Sequence, residues 1–370
     1  MAQFIAITSR GLEELLFEEL TQFGVKRKST IGGGVKFEGS WKLAYYVVYH
    51  SRIATRVLKP ILDFSAYNKD DIYNHVKKHD FTKYIEPNQT LRVDTHGTSK
   101  IFKDSRTSSL VCKDAVVDQF RDKFDCRPSV DKSQPDLPIM IRLLDEKVSV
   151  SIDLVGSSLS NRGYREQTIQ APLREHIASG ILQFSGWQPG DTLLDCFCGS
   201  GTIPLEASLM SRQKWVHPMK SNFAFSYWKT FNSKDVDPNW FIQEGASDQI
   251  DIYGSDISRE SLSAARLNSQ AAKVNGVKWS AKNALEIKAP RESGYIVTNP
   301  PYGHRLKNPE QVYKLMAQWA QHLKSEFKGW TLGVISPDAE FSKQFGMKAE
   351  KKFSFKNGDL DCKFLVYKIY

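Results

Sequence analysis

The run Thr192-Leu193-Leu194-Asp195-Cys196-Phe197-Cys198-Gly199-Ser200-Gly201-Thr202 opens apolar, turns on two glycines and resumes as an apolar helical pattern from Ile203 to Leu209. A buried strand, a glycine turn and a helix in that order make the first βα turn of a nucleotide-binding α/β domain. Glycines at 199 and 201 let backbone approach a ligand, and the helix N-terminus offers unpaired N–H groups. Phosphate is poorly served here, because the GxGxxG pattern is incomplete and Asp195 would repel an anion. The same carboxylate attracts a cation, such as the sulfonium or amino group of S-adenosylmethionine. Taken alone, the loop leaves other nucleotides, or a purely structural turn, open.

Two further strand ends narrow the reading. Ile252-Tyr253-Gly254-Ser255-Asp256 ends in a second carboxylate, placed where such folds hold ribose hydroxyls, and a helix is expected from Ser258 to Ala272. The distance from Gly199 to Asp256 far exceeds the roughly 20 residues of a dinucleotide fold. The excess is an aromatic-rich insertion, Ser211 to Gln249, with Trp215, Phe223, Phe225, Tyr227, Trp228, Phe231, Trp240 and Phe241. We read it as a packed cap over the sheet in preference to a base-stacking platform. The strand Tyr295-Ile296-Val297-Thr298 then runs into Asn299-Pro300-Pro301-Tyr302-Gly303. Two prolines end sheet pairing, so the chain leaves at the C-terminal edge, where open α/β sheets bind ligands. The Asn299 carboxamide oxygen and the Pro300 carbonyl can accept from one exocyclic amine while Tyr302 stacks on the base. Drawing that amine toward tetrahedral geometry frees a lone pair otherwise delocalised into the ring.

Outward from this core, the front half alternates short strands and helices. Phe4–Thr8 reads as a strand, Gly11–Phe23 as an amphipathic helix, and Val35–Glu38 as a second strand after the turn Gly32-Gly33-Gly34. No helix-opening Lys-Ser/Thr follows those glycines, so a turn is preferred to a phosphate loop. We assign residues 1–65 to a ferredoxin-like module. Residues 66–160 form a second unit: strand Leu91–His96, a long helix Ser105–Phe124, and paired strands Ile139–Leu144 and Val148–Leu154. Lys100, Lys103, Arg106 and Lys113 cluster at the start of its helix, where phosphate would be welcome and a solvated helix end is the plainer alternative. From 161 to 370 strand and helix alternate, with a helix expected from Pro172 to Phe184, and Asn357-Gly358 turns a closing hairpin.

The 370 residues carry 51 Lys and Arg against 42 Asp and Glu, a surplus of +9 that suits a polyanionic partner without requiring one. The surplus is spread along the chain, so nucleic acid would have to meet a folded face. Apolar runs are far shorter than the roughly 20 residues of a membrane span. No signal peptide is visible. The odd set Cys112, Cys126, Cys196, Cys198 and Cys362 has no CxxC pair. It argues against a disulfide framework and a zinc site and fits a reducing compartment, hence a cytoplasmic expectation.

The set Asp195, Gly199, Gly201, Asp256 and Asn299 to Tyr302 resembles class I methyltransferases that modify base amino groups. More narrowly, Arg162-Gly163-Tyr164-Arg165, Ala171-Pro172-Leu173-Arg174-Glu175, Phe197 to Ala207 and Asn299 to Gly303 resemble the THUMP-domain guanine-N2 methyltransferases of large-subunit ribosomal RNA, the RlmL type. Ala115 to Arg121 and Arg127 to Asp131 resemble their THUMP region, and the likeness covers nearly the whole chain.

The resemblance implies a Rossmann-like class I sheet, mostly parallel with an antiparallel edge hairpin, behind a ferredoxin-like and THUMP α+β module. It implies S-adenosylmethionine as cofactor, held by Asp195, Phe197, Cys198, Gly199, Ser200, Gly201, Thr202, Asp256, Ile257, Asn283, Ala284 and Asn299. It implies catalysis by Asn299, Pro300, Pro301 and Tyr302, no metal, and an RNA partner, ribosomal RNA or a pre-ribosomal particle. Lys100, Lys103, Arg106, Lys113, Arg162 and Arg165 become the candidate RNA contacts. Three positions depart from the family pattern: Cys196 replaces a proline, Asn283 replaces an aspartate that accepts from the adenine amine, and His304 replaces a glutamate. The expected chemistry is direct in-line methyl transfer to an unpaired or extruded base. A DNA adenine-N6 methyltransferase and a silent RNA-binding assembly factor are the alternatives.

Overall fold

The computed structural model of the chain describes residues 1–167, 173–212, 216, 223–241, 250–301, 309–358 and 360–370. The front half contributes β1 (Ala2–Ile7), α1 (Glu13–Gln22), β2 (Lys28–Ile31), β3 (Gly34–Gly39), α2 (Trp41–His50), β4 (Arg56–Ser65), α3 (Lys69–Lys77), β5 (Thr90–Thr98), α4 (Ser105–Phe124), β6 (Ser129–Val130), β7 (Leu137–Leu144) and β8 (Lys147–Asp153). The two expected front modules share one eight-stranded sheet, ordered β2-β3-β1-β4-β8-β7-β5-β6. The joining strand is β4, antiparallel to β1 through Ile5↔Leu58 and to β8 through Leu58↔Asp153 and on to Ser65↔Lys147. Pro60 sits inside this central strand, and the register shifts between Pro60 and Leu62, as a residue without an N–H requires. Helix α4 has the span its sequence signals: the Asp104 carboxylate accepts the Arg106 N–H at 2.9 Å, and Asp125 closes it with a left-handed φ of 53°.

The rear half contributes α5 (Glu175–Ser185), β9 (Leu193–Asp195), α6 (Thr202–Ser211), β10 (Ile252–Asp256), α7 (Arg259–Ala271), β11 (Lys278–Ala281), β12 (Tyr295–Thr298), α8 (Pro309–Glu326), β13 (Thr331–Ser336), α9 (Ala339–Lys343), β14 (Lys351–Asn357) and β15 (Leu360–Lys368). The seven strands run β11-β10-β9-β12-β13-β15-β14; β9 to β13 are mutually parallel, and β15 is antiparallel to β13 and β14. Successive residues feed opposite faces. Leu193, Val297 and Ile335 join one core, and Leu194, Ile296 and Val334 join another with Trp319 and Leu323 of α8. Helix α5 begins at Glu175, and Pro172 lies outside the described residues.

Two of the contacts between the halves bear on the sequence reading. Of the insertion, the described stretch from Phe223 to Phe241 packs on α2 of the front module and not, as expected, over the rear sheet. Tyr45 stacks on Phe225 with ring centroids 4.2 Å apart, and Tyr46 meets Trp240 edge-on at 5.2 Å. The Phe225 N–H donates to the Leu154 carbonyl at 3.1 Å, and the Trp228 indole N–H to the Asp136 carbonyl at 2.8 Å. The apolar face of α2 was available to the insertion, and no sequence signal revealed that choice. Trp215 lies outside the described residues. At the second contact, Arg10 and Gly11 lie against β14. The Lys356 N–H donates to the Arg10 carbonyl at 3.0 Å. Gly11 has φ +95°, and a Cβ there would stand 2.0 Å from the Ser354 carbonyl oxygen, so only glycine fits.

Candidate active site

Strand order reverses at β9, with β10 and β11 on one side and β12 and β13 on the other. Pairing with β10 reaches Gly254↔Asp195, whereas pairing with β12 stops at Ile296↔Leu194. Above that point the chains diverge and leave a crevice, the usual ligand site of a doubly wound sheet. Asp195 ends β9 at one wall of a cleft of about 520 Å³, and Asn299 follows β12 at the other. The cleft is lined further by Phe197, Cys198, Gly199, Ser200 and Thr202 from the loop, Asp256 and Ile257 from the end of β10, Asn283 and Ala284 after β11, and Pro301.

The carboxylates are fixed by backbone amides. Asp195 Oδ1 accepts from the Phe197 N–H at 3.1 Å and from the Thr298 hydroxyl at 2.5 Å. Asp256 Oδ2 accepts from the Gly199 N–H at 2.9 Å, and its Oδ1 from the Ser258 N–H at 2.8 Å. Burial pushes the Asp195 carboxyl up to about 7; the Thr298 and Phe197 hydrogen bonds oppose the rise and the charge of Asp256 adds to it. The Asn283 carboxamide oxygen accepts from the Leu285 N–H at 3.1 Å, which uses one of its two lone pairs. The Asn299 carboxamide oxygen is buried and finds no hydrogen-bond partner among the described residues. A buried acceptor left unpaired costs about 1–3 kcal/mol, so this oxygen calls for a donor.

Gly201 is absent from the cleft lining. It has φ +86°, and a Cβ there would stand 2.7 Å from the Trp279 ring, so the turn and its packing against β11 both require glycine. Tyr302, Gly303 and His304 lie outside the described residues. Leu173, Ile203, Ser261 and Leu315 also line the cleft. The sequence carries no chemical sign of these: they are apolar or small residues placed there by how α5, α6, α7 and α8 pack.

Of the candidate RNA contacts, Arg162 is corrected by burial, and Arg165 is largely engaged within the chain. The Arg162 side chain is 0% exposed, with Nε 3.7 Å from Glu206 Oε2 and Nη2 donating to the Arg52 carbonyl at 2.7 Å. Arg165 lies against the glycine loop: Nη2 donates to Glu175 Oε1 at 2.8 Å and Thr202 Oγ1 at 3.2 Å, and Nη1 to Ser200 Oγ at 3.4 Å. Both guanidinium groups face carboxylates with little exposure, Glu206 and Glu175. Lys100 and Lys103 are exposed. Arg106 and Lys113 line a groove of about 680 Å³ on the front sheet, together with Arg92, His96 and Lys132. Val93, Leu110 and Val130 supply apolar surface within it. Several of its cations already have partners: Arg92 Nε lies 2.8 Å from Asp94, and Lys113 pairs with Asp114. Among the described residues no cluster could hold a metal ion, and no helix is long and apolar enough to cross a membrane.

Residues 162–365 match the family model described as UPF0020, RMKL-like, methyltransferase domain. The chain belongs to this family. In this UPF0020 protein, residues 66–153 match the THUMP domain and residues 3–58 the RlmL ferredoxin-like domain. The "Putative RNA methyltransferase slr0064" of Synechocystis sp. is 35% identical over 375 residues, covering 99% of this chain and 97% of that protein. The "Ribosomal RNA large subunit methyltransferase K/L" of Psychromonas ingrahamii is 35% identical over 378 residues; all of this chain spans 50% of that protein. The solved structure titled "SMU.472, a putative methyltransferase complexed with SAH" aligns over 100% of this chain and 98% of its own, with a TM-score of 0.85 at 25% identity. The RMKL-like membership bears out the resemblance first carried by the glycine loop and the Asn-Pro-Pro-Tyr segment, and the two sheets are those expected of it.

Proposed function

We propose that this protein transfers a methyl group from S-adenosylmethionine to the exocyclic amine of a base in RNA, guanine N2 of large-subunit ribosomal RNA, in the cytoplasm. The observation that carries this reading is the buried Asn299 carboxamide oxygen, without a hydrogen-bond partner among the described residues, on one wall of a crevice whose other wall holds Asp195 and Asp256. The residues present fit the cofactor. Asp195 offers a carboxylate to its cationic groups, Asp256 has lone pairs left for ribose hydroxyls, and Asn283 and Ala284 flank the place for its adenine. Ser200 and Thr202, braced by Arg165, open α6 beside it. When bound, S-adenosylmethionine supplies the electrophilic methyl carbon.

The chain's own part is orientation. Asn299 Oδ1 and the Pro300 carbonyl accept the two amine hydrogens, so the nitrogen lone pair is turned away from the ring plane and toward the methyl group. The proton lost on transfer passes to water. We assign ring stacking to Tyr302. The RNA arrives over the front sheet, where Arg106, Lys113 and Lys132 line the basic groove, with Lys100 and Lys103 exposed nearby. A relative of similar length named as an RNA methyltransferase supports RNA over DNA, and one named for the ribosomal large subunit supports the finer assignment. An assembly particle is the substrate form we propose.

The experiment is methyl transfer from labelled S-adenosylmethionine to unmodified ribosomal RNA, to immature large-subunit particles and to a DNA duplex, with nucleosides identified by mass. N2-methylguanosine from RNA, reduced at least about a hundredfold in Asn299→Ala, is the expected result. N6-methyladenine in DNA would overturn the RNA assignment. Tight cofactor binding with no label in any substrate would favour a silent assembly factor.

A further inference from the structure

At the crevice the backbone ladder between β9 and β12 ends at Ile296↔Leu194, while β12 stays paired with β13 as far as Thr298↔Val334. Beyond Ile296 a side chain spans the gap, the Thr298 hydroxyl donating to Asp195 Oδ1 at 2.5 Å. Thr298 is 0% exposed and Asp195 2% exposed, so neither group trades this bond for water. Asn299 is the next residue and the first to leave the sheet.

We propose that Thr298 is a positioning residue that clamps Asp195 to the strand end carrying Asn299, so that the cationic cofactor and the amine-accepting carboxamide are held in one register. The inference rests on the functional reading above and adds to it a residue outside the Asn-Pro-Pro-Tyr segment. A valine of similar shape would keep β12 packed and remove the bond. Serine would restore the hydroxyl. The clamp also tunes the carboxylate, because hydrogen bonding to the charged form favours it. Among the described residues, the groups facing Asp195 are the Thr298 hydroxyl, the Phe197 N–H, the Asp256 carboxylate and the neutral Cys196 and Cys198 thiols. Removing the hydroxyl therefore moves Asp195 ionisation to higher pH, and with it the pH at which a cation is held.

The test uses the full chain with Thr298→Val and Thr298→Ser and reads two things. Calorimetric titration with S-adenosylmethionine across pH gives the midpoint at which affinity is gained. We expect Thr298→Val to shift it upward enough to weaken binding at least threefold near neutral pH, and Thr298→Ser to return it. Methyl transfer to whichever nucleic acid the parent labels should then fall at least tenfold in kcat in Thr298→Val at saturating cofactor, with Thr298→Ser recovering most of it. Coincident binding curves for parent and Thr298→Val overturn the clamp, as does an unchanged kcat, or a serine variant no better than valine. A change in KM for cofactor alone reduces Thr298 to a support for Asp195 and overturns the link to Asn299. If the parent labels no nucleic acid, the functional reading falls, and the binding curves alone uphold or sink the clamp.

Discussion

Asp195 shows what one carboxyl does when burial and function pull in opposite directions. Its raised value, about 7, means the folded chain keeps a proton that the unfolded chain releases from about pH 4 upward. The stability it contributes therefore falls as pH rises from about 4 to about 7 and is level above that. Cofactor binding has the reverse sign, because a cation prefers the ionised form. The dissociation constant for S-adenosylmethionine is expected to fall by up to about tenfold per pH unit on approaching 7 and then to flatten. Asp195→Asn should bind weakly and show no such slope; calorimetry from about pH 5.5 to about pH 8.5 checks both curves. Asp195 and Asp256 were legible because each is the single acid closing an apolar strand. Arg162, and Arg165 in part, misled for a physical reason. Their sequence neighbours are polar, while the carboxylates that they face, Glu206 and Glu175, come from helices that only the fold brings near.

Among elements, those bounded by local chemistry were read with their limits nearly intact. Helix α4 carries its own cap and its own left-handed stop, and the closing hairpin forms at its glycine signal, displaced by one residue: Asn357 is still the last residue of β14, paired with Leu360, and Gly358 follows it with φ 65°. The insertion failed by the opposite logic. Its aromatic content showed that it packs, but its partner, α2, lies far away in the chain and no local signal identifies it. The groove beside α4 is also a property of elements together, since β5, β6 and α4 each supply part of its wall. We expect the double substitution Arg106→Ala and Lys132→Ala to weaken RNA binding across sequences. The salt dependence of log affinity should drop by about one unit for each phosphate that is no longer neutralised, while cofactor affinity stays that of the parent. Binding titrations at three salt concentrations read the slope, and an unchanged slope would remove the groove from the RNA path.

For the molecule as a whole, the two halves are joined by buried charge as well as by apolar surface. Glu206 of α6 accepts from the Tyr164 hydroxyl at 2.9 Å and the Ser179 hydroxyl at 2.7 Å and lies opposite Arg162, whose other amine reaches the front module at Arg52. Arg162→Ala strands a buried carboxylate and should cost about 3–5 kcal/mol, measured by denaturant unfolding, with RNA affinity of the folded protein unchanged. Adding Glu206→Gln should recover part of that deficit.

The seam between Arg10-Gly11 and β14 carries a consequence in time. Its two sides, Arg10 and Lys356, lie far apart in sequence, and a ribosome adding about 5–20 residues per second brings out the second on the order of tens of seconds after the first. Over that interval the front sheet can form, yet its Arg10 carbonyl has only water to accept from. When the hairpin of β14 and β15 emerges, β14 finds an acceptor and a side-chain-free landing place waiting. A late-made strand is therefore docked on an early-made turn of its own chain, which covers part of an edge that would otherwise stay open.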